Sequence, residues 1–364
     1  MAINVKNLVP ALAIHPGEML KDELDSRDIK QNDFAKLIGY KATQLNEIIK
    51  GKRDINADFA LLIGKALHME PTFWMGLQNQ FDLDKVRIDE KNKARLEAIG
   101  VWEMMKGYIA VPYLKKIGWI SNDPIDDIPK VKTLYKINSI EQFPSLYAMT
   151  GHFRKSTELQ TDTLNLVAWT KVVAYKADNV EVKKFNHNKA DELIEKLKDI
   201  LKENKKTLFK TQSLLNEYGI KLIVEDRPDK CAIDAYSFWS NGKPAIGITL
   251  RHKRIDNFAF NILHELGHVF LHLPNSTTIE YVDYEHSNDN YKNSIEEKQA
   301  NAFSGKHLIN NEAWTAFKKG VHAFTDIQIK QFAKQQNVHP AVVMGRIGHE
   351  LKIYPKTSIT KDLN

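Results

Sequence analysis

No stretch constrains this chain more than His264-Glu265-Leu266-Gly267-His268, because the chemistry of these residues exists only if the backbone there is helical. Residues four apart share a helix face, so both imidazoles can point at one metal ion with Glu265 beside it, in reach of a water the ion activates. The flanks agree with a helix. Asp256 can cap its start, Phe258, Ile262, Leu263, Leu266, Phe270 and Leu271 supply apolar bulk, and Pro274 disfavours helix at Leu273. This is the apparatus of a zinc peptidase.

Two histidines are one ligand short, since catalytic zinc takes three protein ligands and keeps a fourth position open. Ser294–Phe303 reads as a second helix on which Glu297 and Asn301 share a face, so Glu297 would bind the ion and Asn301 would orient a ligand. The same residues admit a second reading, in which Ser294-x-x-Glu297 is a capping box and Glu297 folds back onto the helix start, with Glu296 as the substitute ligand. His272 continues the stripe but lies too far along for easy coordination, and is expected to orient a ligand or to pack. A histidine pair with a carboxylate also holds non-haem iron. The glutamate between the histidines favours zinc hydrolysis, with Glu265 taking a proton from water and passing it to the leaving amine. Upstream, Ala235–Trp239 and Pro244–Leu250 flank Ser240-Asn241-Gly242-Lys243 as a hairpin, and its second strand could offer an edge to a substrate backbone. Tyr236, His252 and Tyr281 are candidates for stabilising an oxyanion, each with a purely structural role as the alternative.

From His15 to Leu83, apolar residues recur at helical spacing in short segments broken at Gly39, near Gly51 and at Pro71, which predicts a bundle of about five helices. Gln31–Gly39 followed by Ala42–Ile49 fits a helix-turn-helix: Ala35 permits a close crossing, Gly39 the left-handed turn, and Leu45, Ile48 and Ile49 anchor the second helix. Its exposed face would carry Lys41, Thr43, Gln44, Asn46 and Lys50, with Gln31 at the start of the first helix. Glutamine and asparagine pair with an adenine edge, threonine touches base or phosphate, and Lys50, Lys52 and Arg53 would hold phosphates. Against strong backbone attraction stand Glu47 and the charge of residues 1–82, where 10 Lys/Arg face 11 Asp/Glu. A single copy should bind weakly, and a dimer on two half-sites would restore affinity. The alternative is a bundle serving only dimerisation or partner docking.

His15-Pro16-Gly17-Glu18-Met19-Leu20, the Gln31–Gly39 turn, Gly51-Lys52-Arg53 and Pro71–Gln78 resemble the HigA/VapI group of antitoxins with their Xre-type helix-turn-helix. That resemblance implies a dimeric repressor of its own operon, often paired with a toxin. Ile255-Asp256-Asn257-Phe258, His264–His272 and Glu297-Lys-Gln-Ala-Asn301-Ala-Phe303 resemble the ImmA/IrrE-type metallopeptidases, which implies zinc at His264, His268 and Glu297 and a catalytic base at Glu265. Ser304-Gly305 in place of the usual alanine pair, and Leu308-Ile309-Asn310 without the customary proline, depart from that pattern beyond the ligands. Phe153-Arg154-Lys155-Ser156 and the stretch Phe324–Arg346 also look like the long antitoxin–peptidase fusions.

The 364 residues exceed one core, and the net charge of +6 lies beyond the N-terminal third, much of it in Lys196–Lys210, which reads as the solvated face of an amphipathic helix. One cysteine, Cys231, excludes an internal disulfide and is expected to pack. No run approaches a membrane span and Leu8–Ile14 is too short for a signal peptide, so a cytoplasmic protein without membrane contact is expected. Ser121–Pro129 is the best linker by composition, and Phe324–Arg346 reads as a packed helical hairpin.

The expected fold class is multidomain: an all-α helix-turn-helix bundle over 1–83, a helical middle over 84–205 and an α+β zincin-like domain over 206–364. The expected function is a DNA-binding regulator or antitoxin whose zinc peptidase domain, with one Zn2+ per chain, cleaves a partner protein. Its partners would be operator DNA, a cognate toxin or other protein substrate, and a second copy in a homodimer. The alternative is a non-proteolytic antitoxin whose zincin-like domain only binds toxin or senses a ligand.

Overall fold

The computed structural model describes residues 10–149, 161–229, 231–276, 279–284, 293–319 and 324–364, so Phe153–Ser156 lie outside the described residues. The chain divides into two compact units, Met1–Glu103 and Met104–Asn364.

The first unit contains α1 (Pro16–Ser26), α2 (Gln31–Leu37), α3 (Ala42–Ile49), α4 (Ala57–Leu67) and α5 (Pro71–Ile88), followed by α6 (Glu90–Met105), whose last residues enter the second unit. Each start has a local cause. Pro16 and Pro71 open their helices with a fixed φ and no donor to lose. His15 Nδ1 accepts the Gly17 N–H at 2.9 Å, and Asn56 Oδ1 accepts that of Phe59 at 2.9 Å. Gly39, at φ +74°, turns the chain between α2 and α3 as expected. Leu20, Leu24, Phe34, Leu45, Ile48, Phe59, Ile63 and Trp74 form one core. Gln78, buried with them, accepts the Ile55 N–H at 2.8 Å. A Cβ on Gly17 would stand 2.0 Å from the Ile48 carbonyl oxygen, so α1 meets α3 backbone to backbone with no room between.

In the second unit a four-stranded sheet is sandwiched by helices. Before it come α7 (Val111–Lys116), α8 (Pro124–Tyr135), α9 (Phe143–Met149), α10 (Thr161–Asp178), α11 (Ala190–Glu203) and α12 (Thr207–Glu217). The strands are β1 (Lys221–Val224), β2 (Ile233–Ser240), β3 (Lys243–Ile248) and β4 (Tyr281–Tyr284), in the order β1-β3-β2-β4. β1 runs parallel to β3; β2 pairs antiparallel with β3 and with β4. The hairpin turns on Asn241 and Gly242, both at positive φ, as a two-residue loop requires. β3 is therefore central, flanked by β1 and β2; the expectation that it offers a free edge is wrong, because the parallel partner β1 lies outside the hairpin and no local signal announces it.

α10 covers one sheet face, where Gly247 admits Val173 and Trp169; a Cβ there would lie 2.5 Å from Val173 Cγ1. α13 (Ile255–Gly267) covers the other, followed by a π-helical turn, His268–His272. Behind α13 pack α14 (Ile295–Leu308), α15 (Asn311–Lys319), α16 (Asp326–Gln335) and α17 (Pro340–Leu351). The last two form the expected hairpin, burying Ile329, Phe332, Val343 and Ile347. α11 is amphipathic as read: Leu193, Ile194, Leu197 and Leu201 are buried, each contributing roughly 1.5–3 kcal/mol. Cys231, the one cysteine of the chain, is buried.

Two local readings are corrected. Ser121–Pro129 is no linker: Asp127 is fully buried and accepts the Ser121 and Asn122 N–H groups at 2.9 and 2.7 Å, and Pro124 opens α8. Asp256 does not cap α13. It lies inside the first turn, buried, and takes Arg254 in a two-point ion pair. The Ile255 N–H instead donates to Lys361 O at 2.8 Å, while Thr207 N–H at the start of α12 donates to Asn364 O at 2.7 Å and the Asn204 amide to Asp362 O at 2.8 Å. Among the described residues no helix is long and apolar enough to cross a membrane.

Candidate metal centre and nucleic-acid interface

α13 and α14 cross closely because Gly267 has no side chain; a Cβ there would lie 3.0 Å from Ala300 Cα. That approach sets Glu297, in the first turn of α14, against the two histidines. His264 Nε2 and His268 Nε2 are 3.1 Å apart, and Glu297 oxygens stand 3.4 and 3.3 Å from them. All three residues are buried. The choice between ligand and capping box is divided between backbone and side chain: Ser294 Oγ accepts the Glu297 N–H at 3.2 Å, while the Glu297 carboxylate turns to the histidines. Glu296 is half-buried one residue away.

Hydrogen bonds behind the rings set the tautomers. His264 Nδ1 faces Asn301 Oδ1 at 3.1 Å, an acceptor, so Nδ1 carries hydrogen. His272 Nε2 faces Gln299 Oε1 at 2.9 Å and must donate, which leaves His272 Nδ1 to accept from His268 Nδ1 at 3.0 Å. His268 Nε2 is then a bare lone pair aimed at His264 Nε2 and Glu297. Thus His272 and Asn301 both touch the rings that were expected to need orienting, and the π-helical turn brings His272 back onto His268. Gln299 was not anticipated.

Burial alone would lower the His264 pKa, but the Glu297 hydrogen bond and the neighbouring carboxylates raise it to about 9. Burial lowers His268 to about 4. Burial would raise Glu297, yet the two histidines hold it well below the usual carboxylate range. A proton on His264 Nε2 therefore sits between His268 Nε2 and the Glu297 carboxylate, where a divalent ion would sit. Glu297 Oε1 is buried with no hydrogen-bond partner. An orphaned carboxylate oxygen and two converging imidazole nitrogens fit a metal of borderline softness with oxygen and nitrogen ligands.

Glu265 is fully buried and its pKa is raised by that burial to about 8. Ser237 Oγ, on the α13 side of β2, donates to Glu265 Oε2. Opposite Ser237 in the β2–β4 ladder is Tyr281, whose ring stacks on His268 at 4.3 Å. Asp283, two residues on and so on the same face, brings a carboxylate within 4.8 Å of His264 and Glu265 donor atoms. Of the three oxyanion candidates, Tyr281 reaches the site, Tyr236 is buried against Trp169 on the opposite sheet face, and His252 lines a small neighbouring cavity. Ser237 and Asp283 were missed; a two-residue strand period around Tyr281 was the one available signal for Asp283.

In the first unit, Thr43, Asn46 and Glu47 are exposed on α3, with Lys41 before it and Lys50, Lys52 and Arg53 after it, also exposed. Gln31 is half-buried at the first residue of α2. Gln44 differs from the reading: its Oε1 accepts the Lys41 N–H at 3.1 Å, closing the start of α3, so its carbonyl oxygen is engaged within the helix.

Residues 215–335 match the family of IrrE N-terminal-like domains of peptidase type M78, and residues 20–74 match a helix-turn-helix family. Virulence-associated protein A′ of Dichelobacter nodosus is 37% identical over 83 residues, covering 22% of this chain and 72% of that protein. Virulence-associated protein I of the same organism is 32% identical over 88 residues, covering 24% and 80%. Among solved structures, the antitoxin HigA of Pseudomonas aeruginosa with the higBA promoter is 32% identical, covering 24% of this chain and 95% of that one at a TM-score of 0.22.

Proposed function

We propose, for a chain that belongs to the HigA/VapI family of helix-turn-helix proteins and carries an IrrE/ImmA-like M78 domain, a regulator of antitoxin type with a metal-dependent peptidase activity directed at a partner protein. The observation that carries the reading is the convergence of His264 Nε2, His268 Nε2 and the orphaned Glu297 carboxylate beside the buried Glu265. Those three residues would hold zinc, with a position left over for water or substrate. When bound, the ion supplies Lewis acidity, which acidifies water and polarises a carbonyl.

The chain's own groups do the rest. Glu265 takes one proton from the attacking water while the water oxygen bonds to the carbonyl carbon. As the C–N bond breaks, Glu265 gives that proton to the departing nitrogen, so that acid and amine leave in balance. Ser237 holds Glu265 Oε2, which keeps the other oxygen directed for that transfer. Asn301, and His272 with Gln299, hold the two imidazoles in the tautomers that turn Nε2 inward. In the first unit Thr43 and Asn46 would read base edges of operator DNA, with Lys41, Lys50, Lys52 and Arg53 on phosphates, in a dimer.

The test measures metal and substrate separately. Glu297→Ala should lose zinc from protein purified without chelator, while Glu265→Gln should keep zinc and operator binding yet stop loss of the partner protein in cells. Unchanged partner loss in Glu265→Gln would sink the peptidase reading, and absence of metal from the wild type would sink the site.

A further inference from the structure

Toward the start of α13, the face that carries His264 and His268 also carries Asn261 and Asn257, three and seven residues before His264, so the four side chains share one stripe. Neither asparagine has a side-chain hydrogen-bond partner among the described residues, and both are half-buried rather than solvated. Each lines two hollows at once: a small one against Asp234 and Thr249, and a cavity of about 710 Å3 between α13, α14 and α17. The larger one joins the metal centre through Asn301, whose carbonyl oxygen faces His264 Nδ1.

Asn311, His349 and two ion pairs form the polar part of the larger cavity, but most of its exposed wall is apolar. Phe260, 40% exposed, lies along it with Leu308 and Val342. Its charged groups are already neutralised, Arg254 by Asp256 and Arg346 by Glu350. Gly305 opens it: a Cβ built there meets no atom within 4 Å. Ser304, next to it, donates its hydroxyl to the Phe260 carbonyl at 3.0 Å and fixes α14 to the wall. These are the two residues at which the sequence departs from the alanine pair of the family it resembles, and the departure at Gly305 creates space.

We propose that this cavity takes a large apolar or aromatic side chain of an extended polypeptide whose backbone amides pair with Asn257 and Asn261. The inference rests on the peptidase reading and names its substrate class. A carboxamide offers N–H donors and a carbonyl acceptor, which complement the C=O and N–H of an extended backbone, and two of them one helix turn apart match alternate residues of one strand. A volume of this size, walled by a phenyl ring and aliphatic carbon and without an unpaired charge, selects against small and charged side chains.

The experiment uses the full-length zinc-loaded protein and two probes, N-acetyl-phenylalanine amide and N-acetyl-alanine amide, followed by ligand-observed NMR. The phenylalanine compound should bind roughly 10- to 100-fold more tightly, the gain of burying one phenyl ring. Gly305→Leu, which fills the cavity from a helix position with room for it, should erase that preference. Gly305→Ala, a folded control with one added methyl, should keep it. Equal binding of both probes, or a preference that survives Gly305→Leu, overturns the proposal. In parallel a random peptide mixture is digested: wild type should cut beside large apolar residues, and Gly305→Leu beside small ones. Cleavage whose preference ignores Gly305→Leu overturns the pocket while the peptidase reading stands. Selective probe binding without any cleavage supports the pocket and removes the peptidase reading.

Discussion

Raising the pH from 6 to 8 should tighten zinc binding by between 10^3 and 10^4, because two protons must leave before the ion can be held. With no ion bound, His264 titrates at about 9 and Glu265 at about 8, so both are protonated over most of that range. An ion needs the His264 Nε2 lone pair and draws Glu265 toward its carboxylate. Summing the protonated fractions, His264 contributes roughly 90-fold and Glu265 roughly 50-fold over the two pH units, at about 1.4 kcal/mol for each tenfold step. Glu265→Gln removes the second factor, and with it a charge that helps to hold His264 up, so a dependence of less than two orders of magnitude should remain. Zinc titration against a competing chelator at fixed ionic strength measures both. Calorimetry in buffers of different ionisation enthalpy counts the protons directly, near two per ion at pH 7 for the wild type and near one for the variant. A flat wild-type profile would refute the picture of a proton standing in the ion's position. An unchanged profile in Glu265→Gln would remove Glu265 from the exchange.

Four further outcomes follow from named contacts. Asn301→Ala, which frees the His264 ring behind the site, should weaken zinc by about 10- to 100-fold without altering far-ultraviolet circular dichroism; an unchanged dissociation constant would show that His264 needs no such partner. Ser237→Ala should keep stoichiometric zinc but shift the pH profile of cleavage upward, since the hydroxyl that favours the Glu265 carboxylate is gone; an identical profile refutes its role. Asn46→Ala should flatten base preference in a competition assay, whereas Lys52→Ala should weaken all duplexes alike and reduce the salt slope by about 1; equal effects on cognate and random DNA would rule out α3 as the reading helix. Gly17→Ala forces a methyl into the Ile48 carbonyl and should destabilise the first unit by about 1–3 kcal/mol in denaturant unfolding; an unshifted midpoint would mean that α1 and α3 can separate freely.

Features carried by near neighbours in sequence were legible. The two histidines, the Gly39 turn, the Asn241-Gly242 hairpin and the amphipathic α11 each follow from spacing within a few residues, and the structure has them where spacing put them. What depends on distant partners was not. Ser237 meets Glu265 across 28 positions, and β1 takes the edge of β3 by a parallel pairing that leaves no mark in either strand. The Ser121–Pro129 segment misled for a different reason: its prolines, asparagine and aspartates have the composition of a solvated linker, but Asp127 is buried because three donors of the preceding turn close on it. Asp256 looked like a cap because an aspartate near a helix start usually is one; Arg254 beside it takes both its oxygens.

The backbone of residues 361–364 completes the starts of α12 and α13, the latter being the helix of His264 and Glu265. Synthesis reaches those residues long after the helix-turn-helix unit has emerged, by roughly 10 to 50 s at ordinary elongation rates. A growing chain can therefore own a finished DNA-reading unit while its metal helix still lacks the carbonyl that receives its first N–H. Closure of the starts of α12 and α13 therefore waits for residues 361–364, long after the first unit is made.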